Sequence, residues 1–323
     1  MKWKDRLLSS SIPLEYEIAK ILSKYNFPVS FDYSYKRFDS DLEKEFSIDI
    51  RAIGSYPFSR TSSIKLDIDI LIECKYRNPN VSWLFVKDLN KPDYSNFSIK
   101  GVIKVIDEFS EYNSTRHSSV MPLSETCLKG IEINTQNGEV HDIGITHGIN
   151  QLVYCIPPLL KSNIFSSLVG NLADNHPYII CPILVTTADL RLLNPNFSID
   201  MLTKSKSLDD ISKEVPFLRM YSDVYPSFEE HCRNTFKDIL DLDTQNRFEY
   251  FQKLRKYDLM DLKKNRKIIS TPKLFMLELQ KGIGNDLFRE TLVCNFKHFP
   301  RLLKELKQEF ISIGRGLKKL HYH

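Results

Sequence analysis

The chain has 323 residues, 42% of them hydrophobic and 27% charged, with a formal net charge of +4. Such a composition excludes a disordered or low-complexity chain, and the length suffices for one elaborated domain or two. The small positive excess is compatible with a phosphate-rich partner without requiring one. No run of about 18 uncharged apolar residues marks a membrane span, and Met1-Lys2-Trp3-Lys4-Asp5-Arg6 leads into no apolar signal segment. Six cysteines without a Cys-x-x-Cys spacing point to neither a zinc site nor a redox pair. A soluble, cytoplasmic protein in a reducing compartment is the expectation.

Ser10 and Ser11 can cap a helix that has Pro13 in its first turn and runs to about Tyr25. Its apolar stripe is Leu14, Ile18, Ile21, Leu22 and Tyr25. Glu15 and Glu17 flank that stripe at nearly equal angles, so periodicity leaves open which of them faces the protein. Both also suit a helix N-terminus as plain first-turn acids. A short strand follows around Val29 to Tyr35, then a charged turn.

Phe46, Ile48, Ile50 and Ala52 alternate with Ser47, Asp49 and Arg51, which predicts a second strand. Tyr56 to Ser63 reads as a hairpin loop, and Lys65 to Lys75 as the returning strand. In that strand Leu66, Ile68, Ile70, Ile72 and Cys74 form a core face. Lys65, Asp67, Asp69, Glu73 and Lys75 form a charged face, either in water or gathered at a site. Glu73 and Lys75 project the same way, roughly 6–7 Å apart. With the turn centred near Thr61, Asp49 falls opposite Glu73, at the roughly 4.5–5.5 Å separation of directly paired residues, close enough for two carboxylates to share a divalent cation. Asp69, roughly 13 Å along the strand from Glu73, is too far to join them.

After a polar break at Tyr76 to Asn80, Trp83-Leu84-Phe85-Val86-Lys87 predicts a buried strand. Residues 88–139 show little beyond peripheral structure. From Asp142 to about Cys155 the spacing is helical, with His147, Asn150, Gln151 and Tyr154 on one face. Tyr178 to Val185 is a continuous apolar run, the pattern of a strand buried on both faces. Residues 201–207 read as a linker and 227–267 as charge-rich helix. Within the latter, Lys263, Lys264 and Arg266 form a basic cluster suited to a phosphate backbone or to a solvated face. Thr291 to Phe296 predicts a last strand and Pro300 to about Phe310 an amphipathic helix. The organisation expected is a core over 1–200 and a mainly helical elaboration over 201–323 whose late strand rejoins the core.

A carboxylate on one strand and Glu-x-Lys on the next, across a hairpin, resembles the PD-(D/E)XK nuclease superfamily. The likeness extends to Ser11-Ile12-Pro13-Leu14-Glu15-Tyr16-Glu17 opening the first helix, Ser47-Ile48-Asp49-Ile50 on a strand and Leu71-Ile72-Glu73-Cys74-Lys75, in the order of its restriction-endonuclease-like members. No Pro precedes Asp49, and Gln151 to Tyr154 is one residue short of the Gln-x-x-x-Tyr spacing of the exonuclease-type branch. The resemblance implies an α/β fold, a mixed central sheet flanked by helices. It implies a catalytic set of Glu15, Asp49, Glu73 and Lys75, Glu15 being preferred to Glu17 by its likeness to the family's Pro-x-Glu position. It also implies Mg²⁺, or Mn²⁺, on Asp49, Glu73 and the backbone carbonyl of Cys74, with Gln151 turned toward nucleic acid.

The activity so implied is metal-dependent hydrolysis of DNA phosphodiesters, in restriction or other defence, by a homodimer or a larger complex. Oxygen-only ligands suit Mg²⁺, and an ammonium beside them suits a charge-building phosphoryl transfer. Two other readings compete: a catalytically silent nucleic-acid- or partner-binding subunit on the same fold, and an RNA-directed nuclease. An inert cross-strand ion pair among Asp49, Glu73 and Lys75 is the bland alternative.

Overall fold

In the computed structural model the chain is described over residues 2–39, 42–57, 65–89, 102–106, 125–169, 177–222, 225–237 and 288–322. Twelve strands form one mixed sheet flanked by helices. Two helices, α1 (Lys2–Ser9) and α2 (Ile12–Lys24), precede β1 (Val29–Asp39), β2 (Leu42–Pro57), β3 (Lys65–Lys75), β4 (Val81–Lys87), β5 (Lys104–Ile106), β6 (Thr126–Asn134) and β7 (Val140–His141). Next come α3 (Ile143–Val169), β8 (Tyr178–Thr186), β9 (Asp189–Leu193), α4 (Ile199–Lys204), β10 (Ser212–Glu214), β11 (Phe217–Tyr221), α5 (Pro226–Thr235), β12 (Glu290–Asn295) and α6 (Phe299–Tyr322). The spatial order is β1-β2-β3-β8-β12-β11-β6-β4-β9-β10, with β5 beside β8 and β7 beside β6.

Parallel pairing of β3 with β8 and of β8 with β12 places β3 and β8 in the middle, buried on both faces. One apolar layer joins the sheet to α2 and α6 through Leu14, Ile18, Leu22, Leu302, Leu306 and Phe310. The other joins it to α3 and α5 through Ile149, Leu152, Cys155, Leu159, Phe228 and Cys232. Pro182 stands inside central β8, where a proline would remove a ladder bond. On the edge away from β3, however, β8 pairs with β5 only up to Ile180 and with β12 only from Ile183, so Pro182 falls in the gap.

Several sequence expectations are corrected. The 88–139 stretch is not peripheral: β6 pairs with both β4 and β11 inside the sheet. The 201–323 portion supplies β10 and β11 in addition to the expected late strand, β12, which joins the sheet between β8 and β11. Both arms of the first hairpin are longer than their alternation suggested, and Tyr56 and Pro57 belong to β2, not to a loop. Of the linker expected over residues 201–207, the first four residues belong to α4. The basic cluster Lys263, Lys264 and Arg266 lies outside the described residues, as does most of the charge-rich segment around it. Among the described residues no helix is long and apolar enough to cross a membrane.

The third helix also outruns its predicted end, continuing through Pro157 and Pro158 to Val169. Pro158 has no N–H for the carbonyl four residues back, that of Tyr154. His231 of α5 donates to it instead, Nε2 to oxygen at 2.9 Å. Burial pulls the His231 pKa down to about 4, so the ring is neutral at pH 7 with its proton on Nε2. Replacing it by leucine keeps an apolar ring-sized body but orphans a buried carbonyl. His231→Leu is expected to lower stability by about 1–3 kcal/mol in urea unfolding near pH 7. An unchanged unfolding midpoint would mean that another donor reaches Tyr154.

Candidate active site

Glu73 and Lys75 close β3, on the face covered by α3. Of the two readings left open for that face, water or a site, its outer end is in water at Lys65, while Glu73 is 1% exposed and Asp69 4%. The two acids are treated differently. Asp69 accepts from Arg51 Nε at 2.7 Å and from Asn163 Nδ2 at 3.0 Å, which fills both its oxygens. Glu73 Oε1 pairs with Lys75 Nζ at 2.5 Å, while the buried Oε2 has no hydrogen-bond partner among the described residues. Burial, and then the nearby Asp49 charge, raise the Glu73 pKa to about 7 against the pull of Lys75 and of the Asp49 backbone N–H.

The β2–β3 ladder runs from Pro57↔Lys65 to Ile50↔Ile72, and the same register sets Asp49 opposite Glu73. There the ladder ends. The next inward-pointing N–H of β3, that of Cys74, goes to Asp49 Oδ2 at 2.6 Å in place of a β2 carbonyl. The strand also turns over at this point, since Ile50 packs in the α2 layer and Ile48, of the same parity, in the α3 layer. Asp49 thus lies at the opened end of the strand pair. Its pKa is raised by burial, with the Cys74 N–H and Lys75 pulling it back. In an extended residue N–H and C=O emerge on the same edge, so the Cys74 carbonyl faces the same opening. Its thiol is buried in the α2 layer, and burial drives its pKa far up, so the sulfur is inert.

From α2, Glu15 is half-buried, and its pKa is raised to about 7 by burial first and then by the Asp49 and Asp32 charges, with Lys75 opposing. Glu17, which periodicity could not separate from it, is exposed and paired with Lys20 at 2.9 Å. Ser11 precedes the helix in the left-handed region, at φ 63°, and its side chain makes no cap. Instead Ser11 Oγ accepts from the N–H of Tyr76 at 3.4 Å, tying the start of α2 to the exit of β3.

Two assignments change. Gln151, expected to turn toward nucleic acid, has both ends of its amide engaged within the protein: its Oε1 accepts from Lys75 Nζ at 3.3 Å and its Nε2 donates to the Ser47 carbonyl at 3.2 Å. It holds Lys75 and braces β2. Asp32 was not singled out in the sequence. Between the pairs Phe31↔Ile50 and Tyr33↔Ile48 it falls opposite Asp49, with a left-handed φ of 52°, so Asp32, Asp49 and Glu73 form an acidic row across three strands. Only the β1–β2 register locates it, and the short strand predicted at Val29 to Tyr35 did not carry that register.

Oxygen donors suited to a divalent ion are therefore Asp49, the free Oε2 of Glu73 and the Cys74 carbonyl. Among the described residues no group of three or more His, Cys, Asp or Glu side chains is arranged to hold a metal. Two carboxylates satisfy Mg²⁺, which keeps several waters and takes further oxygens from a bound phosphate.

Because Glu73 binds its proton at about 7 when folded and near 4.5 when unfolded, the native state holds the extra proton between those values. Stability from this group is then greatest below about pH 4.5 and falls as pH rises toward 7, staying low above it. Glu73→Gln, measured by urea unfolding in chelator, is expected to gain on the order of 1–3 kcal/mol against the parent at about pH 8 relative to about pH 4.5. A difference between the two proteins that is flat across that range would overturn the assignment. No protein-family model, curated protein or solved structure matches the chain.

Proposed function

We propose that the chain is a metal-dependent endonuclease that hydrolyses DNA phosphodiesters, on a restriction-endonuclease-like core. The observation that carries this reading is the meeting, at the end of one strand pair, of Asp49, a half-satisfied buried Glu73 and Lys75. A buried carboxylate and a part-buried one, each raised first by burial, Glu73 then by the Asp49 charge and Asp49 by that of Asp32, are a destabilised arrangement that a divalent cation would relieve. Asp49, Glu73 and the Cys74 carbonyl would hold Mg²⁺ or Mn²⁺, which when bound supplies an acidified water and offsets charge on the phosphate.

The chain's own residues do the rest. Lys75, gripped by Glu73 and Gln151, presents its ammonium to the attacked phosphate and balances the charge that grows on the phosphoryl oxygens. Glu15, with a pKa of about 7, exchanges protons near neutrality. It takes the proton of the attacking water as the new P–O bond forms, and the leaving oxygen takes a proton from a solvent water as the old bond breaks. The resemblance noted above further points to foreign DNA as the target, to a cytoplasmic setting and to two copies acting on the two strands.

A catalytically silent DNA- or partner-binding subunit is the second reading. The closed Glu73–Lys75 pair and the want of a third metal-ready side chain among the described residues favour it. RNA as the substrate would require no change in this chemistry.

Supercoiled plasmid incubated with Mg²⁺ separates these readings. The parent protein is expected to nick and linearise it, a chelator to stop it, and Lys75→Ala to lower the rate by about 10²-fold or more. Turnover that survives Lys75→Ala, or runs equally in chelator, removes the assignment. Salt-sensitive binding with no cleavage under any divalent metal selects the silent subunit.

A further inference from the structure

Beyond Lys75 the chain leaves the sheet but stays tied to β8. Arg77 N–H donates to Thr187 Oγ at 2.6 Å, and that hydroxyl donates back to the Arg77 carbonyl at 2.8 Å. Glu73, Lys75 and Arg77 consequently follow one another on a single face beneath α3. The helix carries a glycine over each of the two cations. A Cβ on Gly148 would sit 3.4 Å from Lys75 Cε and 2.6 Å from Leu184 Cδ1, and one on Gly144 would collide with Arg77 Nη2. Gly144 and Gly148 are about 6 Å apart along the helix, matching the roughly 6–7 Å between Lys75 and Arg77 along an extended chain.

The guanidinium is held firmly but not fully used. Its Nε donates to Glu132 Oε2 at 2.6 Å and its Nη1 to the Tyr76 carbonyl at 2.9 Å. Glu132 is fixed in turn by Trp83 Nε1 at 2.8 Å. Nη2 lies under Gly144 of α3 and makes no hydrogen bond to a described residue. Arg77 also lines an open cleft of about 210 Å³ with Tyr76, Asn78, Asn134, His141 and the acids Glu132 and Glu139, beginning where the catalytic strand stops. A preorganised fork with unspent donors, in a cleft one step from Lys75, is suited to a phosphate oxygen.

We propose that Arg77 docks the phosphate next to the scissile one on the same nucleic-acid strand, so that Lys75 and Arg77 engage successive phosphates. The proposal deepens the nuclease reading and rests on it. Arg77 is a binding residue that sets register and takes no part in proton transfer.

Duplexes carrying one neutral methylphosphonate test it through a cycle with Arg77→Gln. For the parent protein the substitution beside the cut is expected to lower kcat/KM by about 10- to 100-fold, the weight of one charge-assisted pair, and a substitution several nucleotides away to do little. Arg77→Gln is expected to lose a similar factor on unmodified DNA and nothing more on the methylphosphonate. Arg77→Lys is expected to recover part of the loss and serves where the glutamine variant folds poorly. An equal methylphosphonate penalty in parent and variants overturns the proposal. Binding without turnover, followed by fluorescence anisotropy in Ca²⁺, is read separately: Arg77→Gln is expected to flatten the slope of log K against log salt by about 0.7–0.9. An unchanged slope overturns the contact whether or not the protein cuts. A flattened slope with no Lys75-dependent cleavage sustains the contact and removes the nuclease.

Discussion

The structure turns on the hydrogen bond between the Asp49 carboxylate and the Cys74 N–H, 2.6 Å long, at the end of the β2–β3 ladder. A backbone amide in a central strand must be paired, and here an acid does what a neighbouring carbonyl would otherwise do. That exchange stops the two strands from zipping further. It also fixes Asp49 beside Glu73 and leaves the edge of Cys74 open. Stabilisation of the strand end and assembly of the site are therefore the same interaction.

Three elements converge on that end, each for a local reason. Through Ser11, which serves the Tyr76 N–H instead of its own helix, α2 delivers Glu15. Through two glycines one turn apart α3 lies close on the strand, and through Gln151 it fastens Lys75 to Ser47 of β2. The hairpin arm brings Asp32 opposite Asp49 through a left-handed residue in an otherwise extended strand. Non-glycine backbone in that region is strained unless its surroundings enforce it, and the enforcement here coincides with the acidic row.

Where the chain was readable, one physical rule acted alone. Period-two alternation marked β3 at its observed limits, and the pairing that a turn near Thr61 implies is the pairing observed from Ile50↔Ile72 onward. Where it was not, a distant residue decided the outcome. The helix passes Pro158 with the help of His231, 77 positions away, which supplies the donor to Tyr154 that this proline lacks. The strand β6 was hidden because Gly130 breaks its alternation, and the space above that glycine is filled by the Phe85 ring of β4. Glu15 and Glu17 were equivalent by angle on α2. They are separated only by what the sheet puts beside one and the exposed Lys20 puts beside the other.

The contrast between Asp69 and Glu73 carries the functional argument furthest. Both lie on β3, on the same face, at nearly the same depth. Asp69 has its charge matched by Arg51 and both oxygens bonded, as a buried structural acid requires. Glu73 is left with an unbonded oxygen, a neighbouring acid and a pKa near neutrality. If the strand needed only to be stable, apolar side chains in place of the Glu73–Lys75 pair would serve it as well, as buried ion pairs replaced whole by hydrocarbon often demonstrate. One strand thus holds a resolved buried charge and an unresolved one four residues apart. The unresolved one stands where Asp49, Glu15 and Lys75 meet, which is where an incoming cation and phosphate would complete it.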